Sequence, residues 1–215
     1  IFQGKRGRRI WLYPFALILY RFALKTVDTV IFQNPDDKKL FFDKSLINLQ
    51  RTRTTVTNGS GVNISEFQET EFPKQIRFLL IARFLGNKGI REYVQAAKII
   101  KINHPDIGFD LVGWIDANPD SITKEELESW IETGTVNYLG RVDNIKPMIS
   151  KCSVYVLPSY REGTPRSVLE AMAMGRPIIT TDAPGCRETV INKKNGFLVP
   201  VKNVEKLSDA MFKFI

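Results

Sequence analysis

Cysteine and histidine are nearly absent from this chain: Cys152, Cys186 and His104 are the only three in 215 residues. The cysteines lie far apart and have no metal-type spacing. No disulfide framework or zinc site can be built from them, and a reduced, intracellular setting is expected. His104 stands in Asn-His-Pro-Asp, a helix-ending loop, where a structural role is expected rather than a catalytic one. Long apolar runs are also lacking. Trp11 to Tyr20 is apolar, but Arg9 and Arg21 flank it. The run falls short of the roughly 20 residues that a membrane span needs. No small-residue cleavage site follows it, so no signal peptide is expected. Neither G-x-G-x-x-G nor G-x-x-x-x-G-K-[ST] occurs, which counts against a dinucleotide dehydrogenase or a P-loop NTPase.

What is present fits one good-sized domain, or one domain and a fragment: 43% of residues are hydrophobic and 25% charged. The net charge of +8 is unevenly placed. Residues 1–60 hold 11 Lys and Arg against 4 Asp and Glu, while residues 61–215 hold 20 against 19. The basic character therefore belongs to the first quarter, where Lys5, Arg6, Arg8 and Arg9 cluster. Such a cluster suits an anionic membrane surface or nucleic acid equally well.

Residues 10–26 read as a helix, interrupted near Pro14, and Thr29 to Gln33 as a short buried strand. Asn34-Pro35 then caps a helix running to about Asp43. Residues 51–75, with Asn58-Gly-Ser-Gly-Val-Asn63, read as a connector with a bend. From Ile76 the pattern alternates regularly. Strands are expected at 76–82, 109–113, 136–139, 153–157, 177–181 and 197–199. Helices are expected at 89–103, 123–133, 144–150, 165–174, 185–191 and 203–214. Strands apolar throughout, such as Phe78-Leu-Leu-Ile-Ala82, belong inside a parallel sheet covered on both faces. The alternation predicts an α/β, Rossmann-like, doubly wound parallel sheet, with ligands at the carboxyl ends of its strands.

The densest signal is Tyr160 to Arg176, YREGTPRSVLEAMAMGR. A strand, Ser153 to Pro158, precedes it. Thr164 is placed as N-cap and Pro165 as the first helical residue, and Gly175 and Pro177 stop the helix. The free N–H groups of that helix start make an anion site. Glu162 stands at its lip, and Glu170 lies further down the helix. Carboxylates beside a phosphate are useful if they accept hydrogen bonds from hydroxyls. Phosphate donors together with hydroxyl acceptors suggest a nucleotide-sugar. The plain alternative is a capped helix with a solvated glutamate at each end.

Other polar residues fall at the ends of the same set of strands. Arg83 and Lys88 follow the first, in Ala82-Arg-Phe-Leu-Gly-Asn-Lys-Gly89, placed to bracket a diphosphate. Two solvated loop cations are the competing reading. Gly140-Arg-Val-Asp-Asn144 follows the third strand. Its backbone could edge a nucleobase, with Asp143 a helix cap. Thr180 to Glu188 follows the fifth, beside the sugar position, with capping by Asp182 as the alternative.

With these residues in place, the chain resembles the GT-B glycosyltransferases of family 4, the group 1 transferases. The resembling pieces are ARFLGNKG, YLGRVDN, YREGTPRSVLEAMAMGRPIITTD, APGCRETV and NGFLVPV, in order, within residues 55–215. The resemblance implies that Arg83 and Lys88 bind the donor diphosphate and that Glu170 holds the ribose hydroxyls. Glu162 would hold a hydroxyl of the donor sugar. Backbone at Gly163, Thr164 and Pro165 would touch sugar and phosphate, and Val142 the base. Residues 1–54 would be the end of an acceptor-binding N-terminal domain, 55–75 the interdomain connector and 76–215 the nucleotide-sugar-binding domain. The glycine-rich loop and the acceptor site would belong to chain outside this sequence.

The implied reaction is retaining and metal-independent, with no cofactor. It moves a hexose or N-acetylhexosamine from a nucleotide-sugar, with UDP as expected carrier, to a glycan or lipid-linked acceptor in surface polysaccharide biosynthesis. The expected setting is cytoplasmic, peripheral on the inner face of the cell membrane. Rival readings are a nucleotide-sugar epimerase of GT-B-like fold and a basic membrane- or nucleic-acid-binding protein. The epimerase would need more histidine and carboxylate candidates. The nucleic-acid binder would need a basic stripe beside aromatics, and residues 61–215 show none, so no nucleic acid is expected.

Overall fold

A computed structural model describes residues 9–48 and 50–215, the side chains of 9–11 excepted. The basic cluster at Lys5, Arg6, Arg8 and the Arg9 side chain lies outside these. Two compact units divide at Gly59 and Ser60.

The first unit holds α1 (Arg9–Leu24), β1 (Thr29–Phe32), α2 (Pro35–Asp43) and β2 (Arg53–Val56). Asn34 caps α2 by accepting from the Asp37 N–H at 2.8 Å, with Pro35 at the first helical position. The break expected near Pro14 does not occur, and α1 runs through it. Proline in the second turn forgoes the N–H bond one turn back and crowds that carbonyl, and α1 carries both costs without ending. The stretch read as connector contains β2, which pairs in parallel with β1 from Thr29–Arg53 to Phe32–Val56. Phe32, Leu46 and Ile47 form a small core. Leu12, Phe15, Ile18, Leu19 and Phe22 on α1 are exposed.

The second unit is a six-stranded parallel sheet in the order β5-β4-β3-β6-β7-β8. Its strands are β3 (Arg77–Arg83), β4 (Gly108–Trp114), β5 (Asn137–Tyr138), β6 (Val154–Leu157), β7 (Ile178–Thr181) and β8 (Gly196–Val199). Side chains alternate between two cores, as the two-residue period of a strand requires. Phe78, Leu80, Phe109 and Leu111 point to one face, under α3 (Ile90–Lys101), α4 (Lys124–Glu132) and α7 (Val204–Met211). Leu79, Val112, Tyr155 and Ile178 point to the other, under α5 (Lys146–Ser150) and α6 (Arg166–Ala173). The doubly wound sheet expected from the sequence is the one observed.

One expected helix is absent. Residues 185–191 make only a single 3-10 turn, Arg187–Thr189. Gly185 stands at φ +80°, and Val190 is already extended. That leaves too few residues for an α-helical nucleus.

The strand order has one consequence for function. The chain runs β3, β4, β5 outward, then returns to lay β6 against β3. The direction of winding therefore reverses between β3 and β6. Loops leaving the carboxyl ends of these two strands diverge to opposite faces, which opens a crevice there.

Candidate functional site

The β3 and β6 loops carry the residues singled out in the sequence. Arg83 ends β3, and a 3-10 turn at Gly86–Lys88 follows, with Gly89 at φ +72° capping α3. A Cβ on Gly89 would lie 2.1 Å from the Pro158 carbonyl oxygen. Only glycine lets the two loops approach so closely. The main chain links them directly, since the Tyr160 N–H donates to the Asn87 carbonyl at 2.9 Å and the Ser159 hydroxyl donates to the same oxygen at 3.2 Å.

This joint brings Lys88 and Glu162, 74 residues apart in sequence, into an ion pair of 2.5 Å. Both side chains are largely buried, at 18% and 14% exposure. Glu162 is fixed from behind as well: its N–H donates to the Pro184 carbonyl at 2.9 Å. A Cβ on Gly185 would come within 2.2 Å of the Glu162 carbonyl oxygen. Arg83 is more open and pairs with Asp116 at 3.1 Å. Asp116 was not foreseen.

Helix α6 starts one residue later than its sequence suggests. Pro165 is the N-cap at φ −71°, ψ 112°, with no side-chain cap, and Thr164 lies outside the helix. The extended ψ explains the shift, because the residue before the first turn leaves the helical region. The first turn of α6 still follows directly on the loop that leaves β6.

Glu170 is 6% exposed. Burial pushes its carboxyl above the usual range, and Arg166, bonded through Nε at 2.9 Å, acts in the opposite direction. It lines a cavity of about 470 Å³ together with Arg166, Phe67, Asn144, Lys146 and Glu66. Val142 packs beside this cavity, partly buried against the α5–α6 core. The neighbouring Arg141 stacks on Trp114 at 4.6 Å. Asp143 does not cap α5. The N-cap is Ile145, which has no capping side chain, because α5 begins at Lys146; the Asn144 side chain, one residue earlier, accepts from the Lys146 N–H at 3.1 Å. Asp182 is no cap either; its carboxylate accepts from Arg187 Nε at 2.6 Å.

A larger cleft, about 590 Å³, opens near the starts of β7 and β8 by Pro177 and Gly196. It contains none of the residues above, and volume alone is a weaker pointer than convergent charge at a switch point. Cys186 lies behind Glu162, and burial pushes its thiol up to about 11, so it stays protonated and unreactive at neutral pH. His104 packs edge-on to Phe212, away from the crevice loops. Among the described residues, no three metal-ligating side chains gather.

The crevice thus joins cations, a helix N-terminus and two carboxylates of different burial. That combination has the chemistry to take a phosphate at one end and hydroxyl groups at the other. Residues 62–215 match the sequence model of the glycosyl transferases group 1 family. The chain belongs to that family. It is 32% identical over 205 residues to the N,N'-diacetylbacillosaminyl-diphospho-undecaprenol alpha-1,3-N-acetylgalactosaminyltransferase of Campylobacter jejuni. The match covers 89% of this chain and 52% of that enzyme. The capsular polysaccharide biosynthesis glycosyltransferase CapM of Staphylococcus aureus is 27% identical over 168 residues, covering 74% and 44% of the two chains. Among solved structures, Thermosynechococcus elongatus sucrose-phosphate synthase superposes with a TM-score of 0.78 at 24% identity, covering 100% of this chain and 54% of that one. Anabaena Alr3699/HepE, solved with UDP and glucose, gives 0.76 at 19% identity, covering 94% and 58%. These structural likenesses establish the GT-B type of fold. The chain spans about half the length of the curated relatives it matches.

Proposed function

We propose that this group 1 family chain is the donor-binding half of a retaining glycosyltransferase. Its donor is a UDP-sugar carrying a hexose or N-acetylhexosamine, and its acceptor is a glycan or a lipid-linked saccharide of surface polysaccharide biosynthesis. The observation that carries the reading is the Lys88–Glu162 pair at the switch point, with the Glu170 cavity beside it. The likeness to the Campylobacter and Staphylococcus glycosyltransferases supports the pathway class, and the UDP and glucose bound by the Anabaena protein support the donor class.

In this reading the diphosphate lies between Arg83, Lys88 and the α6 N-terminus. Negative charge develops on it as the glycosidic bond to phosphate breaks. Preorganised positive groups stabilise that charge, in the role a metal plays elsewhere, and no cofactor is required. Removing one such donor costs about 3 kcal/mol of barrier. Glu170 accepts from the ribose hydroxyls, and the base edges the backbone at Val142. Glu162 accepts from a sugar hydroxyl and orients the ring, while backbone at Gly163, Thr164 and Pro165 lines the sugar and phosphate.

Thermal-shift measurements with UDP-, GDP- and ADP-sugars test this, since a ligand that binds only the folded state raises the melting temperature. UDP-sugars should give the largest shift. Glu170→Ala should weaken both UDP and UDP-sugar. No shift with any nucleotide at millimolar concentration would overturn the reading.

The proposed setting is the cytoplasmic face of the membrane, with the first unit towards the lipid. The exposed Phe15, Leu19 and Phe22 of α1 and the basic residues before it support peripheral attachment. No described helix is long and apolar enough to cross a membrane. Co-sedimentation with anionic liposomes should fall with salt and with Lys5, Arg6, Arg8 and Arg9 changed to Ala. Indifference to both would remove the membrane claim alone.

A further inference from the structure

Between the two halves of the crevice stands a side-chain network that none of the roles above uses. The Tyr160 hydroxyl donates to the Glu92 carboxylate on α3. The Lys202 ammonium, from the turn between β8 and α7, sits 5.1 Å over the Tyr160 ring. Lys202 itself is held at φ +58°, a left-handed conformation that a non-glycine residue adopts at a cost. Three separate segments therefore meet on one phenol. Tyr160 lies two residues before Glu162. Its own N–H bonds to the carbonyl of Asn87, the residue before Lys88.

We propose that Tyr160 is a positioning residue for the donor sugar, clamped by Glu92 and Lys202 so that the Glu162 carboxylate is presented at a fixed place in the crevice. The proposal rests on the donor-site reading given above. Its physical basis is a division of labour between main chain and side chain. The main-chain bond from Tyr160 to Asn87 ties the two loops together and persists whatever residue stands at 160. The phenol–carboxylate bond fixes the direction in which the 159–162 segment leaves β6. Burial and the Glu92 carboxylate both push the phenol above its usual range, so it remains a proton donor throughout the neutral region. Arg83 and Glu170 lie outside this segment and keep their own anchors, Asp116 and Arg166, whereas Lys88 is paired with Glu162. The clamp therefore acts on sugar recognition, and it reaches the nucleoside diphosphate only through the Lys88–Glu162 pair, whose loosening does not weaken UDP.

The test is calorimetric titration of the whole protein with UDP and with a UDP-N-acetylhexosamine, for wild type, Tyr160→Phe and Glu92→Gln. Phenylalanine keeps the ring and its cation contact and removes only the hydroxyl. Glutamine keeps an acceptor oxygen for the hydroxyl. Tyr160→Phe should weaken the sugar nucleotide about tenfold without weakening UDP, as expected for one lost hydrogen bond to a charged group. Glu92→Gln should lose much less, since the hydroxyl keeps an acceptor. A merely structural bond would lower the melting temperature without changing the ratio of the two affinities. Equal effects on both ligands, or none on either, would overturn the assignment while wild-type binding preserves the donor site. Wild type that binds neither ligand would remove the donor-site reading, and this inference with it.

Discussion

Lys88 is engaged by Glu162 at 2.5 Å. A diphosphate that takes Lys88 must therefore share or displace a carboxylate partner, whereas a sugar hydroxyl then takes the carboxylate released. From this follows an unusual expectation for Glu162→Gln. The amide keeps the shape and one acceptor oxygen but removes the charge. The pair is mostly but not fully buried, so solvent screening keeps its net strength near 1 kcal/mol rather than the several expected of a fully buried pair. Removing that competition should tighten binding of UDP by about fivefold. The sugar nucleotide should respond in the opposite sense, because the amide is a weaker acceptor for the hydroxyl than a carboxylate. Titration calorimetry of both ligands against both proteins measures the two changes. A lysine ammonium has three donors and can in principle serve both anions at once. UDP affinity that is unchanged or weaker in Glu162→Gln would show that it does so, and would refute the competition.

Glu170→Gln should raise the melting temperature at neutral pH and lose that advantage below about pH 4.5. Its carboxyl is raised from 4.5 by burial, so the favourable protonated form is fully present below the unfolded value and lost as pH rises through the folded one. Denaturation of wild type and variant across that range gives the comparison, and a pH-independent difference would count against the burial account. Gly185→Ala, at φ +80° and 2.2 Å from the Glu162 carbonyl, should cost about 2 kcal/mol or more and displace the Glu162 loop, read as a lower melting temperature with weakened sugar-nucleotide binding. Asp110 is 4% exposed, accepts from Arg77 and accepts from Asn137 at 3.1 Å. Asp110→Ala should cost about 3–5 kcal/mol by urea unfolding, since it strands a half-buried guanidinium.

Much of this chain is legible without a structure. Runs such as Phe78 to Ala82 are apolar on both faces, and a strand can satisfy that only inside a covered parallel sheet. Strand–helix alternation then fixes the doubly wound class, and the punctuation at Gly89, Pro165 and Gly175 brackets the loops between. Local signals also place Arg83, Lys88, Glu162 and Glu170 near strand ends. Where local signals compete, they fail: Thr164 and Pro165 both suit a helix start, and Gly185 to Val190 has caps enough for a helix but too few residues to sustain one. What tertiary structure alone decides is which strand ends adjoin. Nothing in the residues near 83 or 162 says that β6 returns to lie against β3, because pairing depends on how the whole set of apolar faces is buried. That adjacency brings Lys88 to Glu162 and closes the Tyr160–Glu92–Lys202 clamp. The burial that raises the Glu170 carboxyl is decided in the same way, by packing from residues distant in sequence. Residue type supplies the chemistry in short motifs; the long-range contacts of the sheet set the distances and the dielectric in which it acts.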